Sequence, residues 1–423
     1  MRNKITFNTS REFARELDDA DDLYDCRNEF HFPKLNGKTA TYFCGNSLGL
    51  QPKRAKEYLV QELDDWARYG VEGHFEARNP WFSYHHLFTK SLAKLVGAKD
   101  SEVVAMNTLT VNLQFLMLSF YKPTAKRFKI IMEAGAFPSD MYAVETLVKH
   151  FGLKPKEAIV EITPRKGEHC IQHDDILKAI KTHRTSLAMV MMGGVNYYTG
   201  QLFDMAAITE AAHKAGAVCG FDLAHAVGNV PLELNKWEVD FACWCSYKYL
   251  NSGPGAVGGA FVHEKHSTSS KTPRLGGWWG HNEKERFKML KGFDPMPNAQ
   301  SWQMSNAPVF NMAAHRASLD VFDKYPLKKL RLKSEQLSAY AYFLLSSITN
   351  VKFEIITPAD PTQRGCQLSL LFKEQGKEVF QHLQKNRIIA DWREPNVIRF
   401  AAVPLYNSFE DVYEIYDAIK NFK

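Results

Sequence analysis

Short apolar runs alternate with longer amphipathic stretches through the first two thirds of the chain. The runs at 128–132, 159–163, 187–192, 217–221 and 240–245 are each bounded by turn residues. Runs this short and continuous predict strands buried on both faces, as in a parallel sheet. Between them, 138–151, 174–182 and 205–215 carry helical spacing. The middle of the chain therefore reads as a βαβ series around a largely parallel sheet. Upstream, helices are expected at 53–69, at 81–95 (ending at Gly97) and at 107–121. Residues 12–29 are acid-rich with apolar punctuation and predict a surface helix or arm. After Phe261 the pattern loosens. Helices at 311–322, 326–348 and 408–422 mix with strands at 352–356, 367–372 and 396–400, an α+β region with its own core.

At 423 residues the chain exceeds what one growing core accommodates. The expected organisation is an N-terminal arm with helices packing on the small domain (1–70), a large α/β domain (71–310) and a small C-terminal α+β domain (311–423). The composition, 45% hydrophobic and 24% charged, is that of an ordinary globular protein. A net charge of +6 spread over scattered lysines gives no basic track for nucleic acid. The seven cysteines lack a disulfide framework's spacing. Cys243 and Cys245 read as buried thiols. The cluster His169, Cys170 and His173 reads as a surface loop, and HEKH at 263–266 is too short for a zinc helix. No apolar run is long enough to cross a membrane, and the N-terminus does not resemble a signal peptide, so a cytoplasmic location is expected.

Candidate chemistry gathers between Phe221 and Phe261. One apolar run ends in Asp222, with His225 three residues on. The next delivers Ser246, Tyr247 and Lys248, followed by glycines. Ligands of open α/β sheets bind at the carboxyl ends of strands. A carboxylate, an imidazole, a phenol and an amine at one such edge suit pyridoxal phosphate. That cofactor needs a Schiff-base lysine (Lys248) and an acid to hold the pyridine proton (Asp222). His225 can lie against the ring, and Tyr247 offers a hydroxyl to the phosphate or for proton transfer. Taken singly, Asp222 would more often be a helix cap and Lys248 a solvated surface residue. Both at strand ends favour the cofactor. The helix start at Thr108 and Thr110 is either a phosphate site or ordinary capping. Phe137, at a strand-to-helix turn, either stacks on a flat ring or sits in the core. Arg399, at a strand end, can grip a carboxylate.

Several motifs together resemble the kynureninase family, pyridoxal-phosphate hydrolases of the class V aminotransferase superfamily. They are YFCGNSLGLQP (42–52), NTLTVNL, FPSD, GVNYYTGQ (194–201), FDLAHAVGN, WCSYKYLNSGPG, GGWWGH, SNAP and VPLYNSFED. The resemblance spans nearly the whole chain. It implies a fold-type I α/β architecture, with a mostly parallel large domain and a smaller α+β C-terminal domain. It also implies a homodimer whose active sites lie near the subunit interface. Lys248 resembles the Schiff-base lysine, Asp222 the pyridinium partner and Phe137 the stacking aromatic, with His225 beside the ring. Leu109, Thr110, Tyr247 and Trp278 match phosphate contacts. Ser139, Asp140 and Asn306 complete the cofactor set. Arg399 matches the residue that binds the α-carboxylate, and His74, Ser305 and Asn306 match the aryl pocket.

The implied reaction is hydrolysis of the Cβ–Cγ bond of kynurenine or 3-hydroxykynurenine to L-alanine and an anthranilate, in tryptophan catabolism. The combination of His74 with Ser305 and Asn306 resembles members that prefer the 3-hydroxy substrate, toward NAD. The chain departs from some members at Gly193, where a serine can stand. A cysteine desulfurase or aminotransferase would share Lys248 and Asp222, and a desulfurase would need a reactive thiol such as Cys366. A catalytically inactive scaffold of the same fold is the remaining alternative.

Overall fold

The computed structural model describes residues 6–269 and 271–423. Seven strands form the central sheet. In chain order they are β1 (Val103–Ala105), β2 (Lys129–Glu133), β3 (Ile159–Ile162), β4 (Leu187–Gly193), β5 (Val218–Asp222), β6 (Phe241–Trp244) and β7 (Gly259–Val262). Their spatial order is β1-β7-β6-β5-β4-β2-β3. Every pairing is parallel except those of β7, which runs antiparallel to both β6 and β1. All four residues of β6 and of β7 are buried, as expected of strands covered on both faces.

Helices α1 (Arg11–Asp19), α2 (Ala55–Tyr69), α3 (His86–Val96), α4 (Leu109–Phe120), α5 (Pro138–His150), α6 (His173–Thr182) and α7 (Met205–Lys214) precede or flank the sheet. The stretch expected as one helix from 81 divides. Trp81–Ser83 forms a separate 3₁₀ turn, held where Trp81 Nε1 donates to the buried Glu62 carboxylate at 2.9 Å. The arm at 12–29 also divides, into α1 and a 3₁₀ turn at Tyr24–Glu29.

The C-terminal part contains α8 (Val309–Lys324), α9 (Leu327–Ser346), strands β8 (Glu354–Ile355) and β9 (Gln367–Leu371), α10 (Gly376–Lys385), β10 (Asp391–Arg393), β11 (Val397–Ala401) and α11 (Phe409–Lys420). Its antiparallel sheet runs β8-β9-β11-β10. Three large apolar cores result among the described residues. One joins the central sheet to α3, α7 and α8. The second joins α9, α10, α11 and the small sheet, and takes in Ala14 of α1. The third packs α4 and α5 on the other face of the central sheet.

The chain's two ends are tied together. The Asp18 carboxylate accepts from the amides of Phe409 at 2.6 Å and Glu410 at 2.9 Å, and Arg11 and Arg15 pair with Glu410. A carboxylate at a helix N-terminus satisfies amides that have no intrahelical partner. α2 lies instead along α8. Among the described residues no helix is long and apolar enough to cross a membrane.

Candidate active site

Parallel strands β2, β4 and β5 end side by side, and each ends on a residue that lines one cavity of about 210 Å³: Glu133, Gly193 and Asp222. The loop after β6 adds Tyr247 and Lys248. The start of α4 adds Thr108, Leu109 and Thr110, and the start of α5 adds Phe137, Ser139 and Asp140. Val195, Tyr197, Ala224 and His225 complete the wall. The turn at 45–49 seats against this site. Gly49 N donates to Tyr247 O at 2.8 Å, and a Cβ on Gly49 would fall 2.3 Å from Lys248 O, so only glycine fits.

The polar groups are buried and pre-arranged. Lys248 Nζ lies 3.0 Å from His225 Nε2, which accepts from it. That leaves Nδ1 to carry the imidazole proton, and Nδ1 is buried without a partner. Burial, then the charges of Lys248 and Arg399, push the imidazole well below its usual value, so it stays neutral. Asp222 Oδ1 accepts from Ala224 N at 2.7 Å. Burial raises both Asp222 and Asp140. Asp140 is held well above the usual range by burial, then by the charge of Asp222 and the hydrogen bond to it. That same bond favours the ionised Asp222, so of the two carboxyls Asp140 is the one that holds its proton more tightly. Burial pushes Glu133 up to about 7, and its oxygens accept from Gly193 N at 3.1 and 3.2 Å. A Cβ at Gly193 would come within 2.9 Å of Glu133 Oε1. A serine there would displace that carboxylate.

These residues fit pyridoxal phosphate. Thr108, the N-cap of α4, makes no side-chain capping bond. The first amides of a twelve-residue helix therefore remain open to a phosphate. Asp222 supplies the anion a protonated pyridine needs, His225 lines the same cavity, and Lys248 supplies the amine. Lys248 Nζ sits 5.6 Å from the centre of the Phe137 ring, which is itself edge-on to Tyr197.

Leu109, Thr110, Phe137, Ser139, Asp140, Asp222, His225, Tyr247 and Lys248 are thus brought together. Arg399, on β11, is 1% exposed and reaches the site's edge through Tyr197, whose carbonyl accepts from Nη1. Four expected residues do not reach this cavity. His74 is half-buried, its Nδ1 2.9 Å from Val71 O and its ring edge-on to Trp81. Trp278 is half exposed and donates to Arg286 O at 3.2 Å, and Ser305 and Asn306 are exposed. For the last three the reason lies in the packing of 278–306. The turn Trp278–Gly280 packs on Ala299–Trp302, which in turn packs on β1 and β7 at the sheet's margin, beyond β6.

Glu133 and Tyr197 line the cavity although neither was singled out from the sequence. A signal existed for Glu133, a carboxylate closing an apolar run as Asp222 does. For Tyr197 the signal was its place in GVNYYTGQ, and its backbone carbonyl and ring are both used. Cys366 is buried beneath β9, its thiol pushed up to about 12 by burial, the opposite of an activated nucleophile.

Comparison with known proteins follows the same lines. Residues 330–419 match the kynureninase C-terminal domain, and residues 80–233 match the DegT/DnrJ/EryC1/StrS aminotransferase family. Among solved structures, the cysteine desulfurase CsdA from Escherichia coli superposes with a TM-score of 0.75 at 18% identity, covering 98% of each chain. A mutant of the cystine lyase C-DES, with glycine covalently linked to its pyridoxal-phosphate cofactor, gives 0.76 at 15% identity, covering 91% of this chain and 97% of that one. These likenesses show the fold, fold-type I of the pyridoxal-phosphate enzymes. Sequence likeness is far closer to the kynureninases. That of Flavobacterium psychrophilum is 54% identical over 98% of this chain and 99% of its own. That of Myxococcus xanthus is 52% identical (98% and 97%), and that of the sea anemone Nematostella vectensis 48% (96% and 92%). The chain belongs to the kynureninase family.

Proposed function

We propose that this chain uses pyridoxal phosphate to hydrolyse L-kynurenine and 3-hydroxy-L-kynurenine to L-alanine and the corresponding anthranilate, favouring the 3-hydroxy substrate. The observation that supports this best is the grouping of Lys248, His225, Asp222 and Phe137 around one cavity at the sheet's carboxyl edge. When bound there, pyridoxal phosphate supplies the electron sink for charge released at the substrate's α-carbon. The protein's residues do the rest. Asp222 and the proton-bearing Asp140 hold the ring's nitrogen end, and the open amides of α4 hold the phosphate. Lys248 Nζ, against a neutral His225, takes the α-proton. Arg399 anchors the α-carboxylate. Burial pushes the Tyr247 phenol up, so it keeps a proton to give to the β-carbon when the Cβ–Cγ bond breaks. One water is consumed, its oxygen ending in the carboxylate of the anthranilate.

The aryl end of the substrate would meet His74, Ser305 and Asn306 supplied by a second copy of the chain, whose glycine loop would also bring Trp278 to the phosphate. Exposed Trp66 and Phe310, whose ring centres lie 6.0 Å apart, support a homodimer, because large apolar side chains grouped this way mark interaction surfaces. Polar groups aimed at the substrate's 3-position would be desolvated without a partner in kynurenine and satisfied by a 3-hydroxyl. Chromatography of the products formed from each substrate tests the reading. Equimolar alanine and anthranilate products are expected, with a higher kcat/KM for 3-hydroxykynurenine. Failure to release alanine from either substrate by the cofactor-loaded protein overturns the activity, and a preference for kynurenine overturns the finer reading.

A further inference from the structure

We propose that Asp391 is a positioning residue which, with Ser47, fixes the Arg399 guanidinium for the substrate's α-carboxylate. The inference rests on the reading of Arg399 as the carboxylate anchor. Asp391 and Arg399 face each other directly across β10 and β11. Arg399 Nη2 donates to Asp391 Oδ2 and lies 3.5 Å from Ser47 Oγ, and Nη1 donates to Tyr197 O. Nε–H is left buried and unpartnered, a donor for an incoming ligand. Ser47 Oγ donates to the same Asp391 oxygen at 2.9 Å, and Arg393 Nη2 lies 3.2 Å from it.

The three partners come from three parts of the chain. Ser47 follows the segment that pairs with Ala401, Asp391 lies on the edge strand of the small sheet, and Tyr197 lies in the loop after β4. Gln367 reinforces the third partner, its Nε2 donating to Tyr197 O at 3.0 Å. A buried guanidinium without a counter-charge is unfavourable, and a planar fork is useful only when its plane is fixed. Asp391 meets both requirements. Its own charge stays compensated by Arg393 when Arg399 engages a ligand. Asp391 therefore acts through Arg399 and makes no contact with the substrate itself.

The test uses the cofactor-loaded enzyme with two ligands, L-kynurenine and the amine that lacks its carboxylate. Affinity is read from the cofactor's visible absorption band, and KM and kcat from turnover. Asp391→Asn keeps the shape and removes the charge. It should raise KM and the kynurenine dissociation constant by about ten- to a hundredfold, the cost of misplacing a binding group by roughly an ångström. Turnover at saturation should stay within about threefold, the pattern of lost uniform binding. Affinity for the amine should not change. Ser47→Ala, which disturbs the fold least, should move KM the same way by a smaller factor.

An unchanged or lower KM in both variants overturns the inference, and so does equal weakening of both ligands. Arg399→Gln separates the two levels of argument. If it leaves discrimination between the two ligands intact, the anchor reading itself fails. If it abolishes discrimination while Asp391→Asn preserves it, only the role of Asp391 fails.

Discussion

The residues expected at the site fall in two regions that differ in how much of their surroundings one chain supplies. Around Lys248 and Asp222 the charged side chains are buried. Three strand ends, two helix starts and the turn at 45–49 bury every charged group. Elsewhere, Trp66 is 58% and Trp278 49% exposed, and Ser305 and Asn306 stand in solvent. Groups that handle charge need a pre-organised site of low dielectric, and a single sheet edge provides one. Amphipathic groups that recognise an aryl ring tolerate water until a partner covers them. The fold gathers its charged groups at one sheet edge and leaves these other expected residues in solvent.

The strongest way to break this contrast is to remove the centre of the enclosed region. Lys248→Ala should abolish turnover with the fold retained, a loss beyond the 10²–10⁴-fold, roughly, that general-base action alone provides. Measured kcat near wild type with cofactor bound would mean the enclosed region is not the reacting centre. Next in size, Trp66→Asp should dissociate a dimer. Exposing one large apolar side chain costs about 1.5–3 kcal/mol, to which the new charge adds. Sedimentation equilibrium should show a monomer with reduced activity. A fully active monomer would make Trp66 irrelevant to the site.

Glu133→Gln sharpens the enclosed half. The folded-state value of Glu133 is raised from the ordinary 4.5 to about 7. Between these values the folded chain binds more protons than the unfolded one. Stability contributed by the protonated form is therefore present below pH 4.5, falls as pH rises toward 7, and levels off above it. The variant should gain on cofactor-free wild type by about 1–3 kcal/mol at pH 8, and by less at pH 5, in urea unfolding. A gap independent of pH would mean Glu133 does not titrate there. The smallest effect concerns Asn306→Leu, which should narrow the ratio of kcat/KM between 3-hydroxykynurenine and kynurenine by roughly three- to tenfold, the value of one hydrogen bond. An unchanged ratio removes Asn306 from the aryl pocket.

Much of the enclosed region was legible in the residue order, because its logic is local. An apolar run ending in Asp222 and another followed by Lys248 already place two groups at one edge. Direction was not legible. The run at Gly259–Val262 is as apolar as its neighbours, yet it enters the sheet antiparallel, and hydrophobic periodicity carries no sense of orientation. The start of α3 was displaced because Trp81 is held by Glu62, nineteen residues away in sequence, a contact no local pattern announces. His74, Trp278, Ser305 and Asn306 could be matched to the family's site by their motifs, but spacing along the chain did not reveal that the fold holds them apart from the cavity.

The tie between Asp18 and the start of α11 sets a constraint on synthesis. The amide that Asp18 binds lies 391 residues further along the chain. At about 5–20 residues per second a ribosome needs roughly 20–80 s to deliver it. Until then the first helix has no seat, and the second core lacks both its opening and its closing element. The central sheet can close on the ribosome, while the terminal core must wait for release. A nascent chain stalled before Phe409 should therefore leave the segment around Asp18 open to protease while the central sheet already resists it.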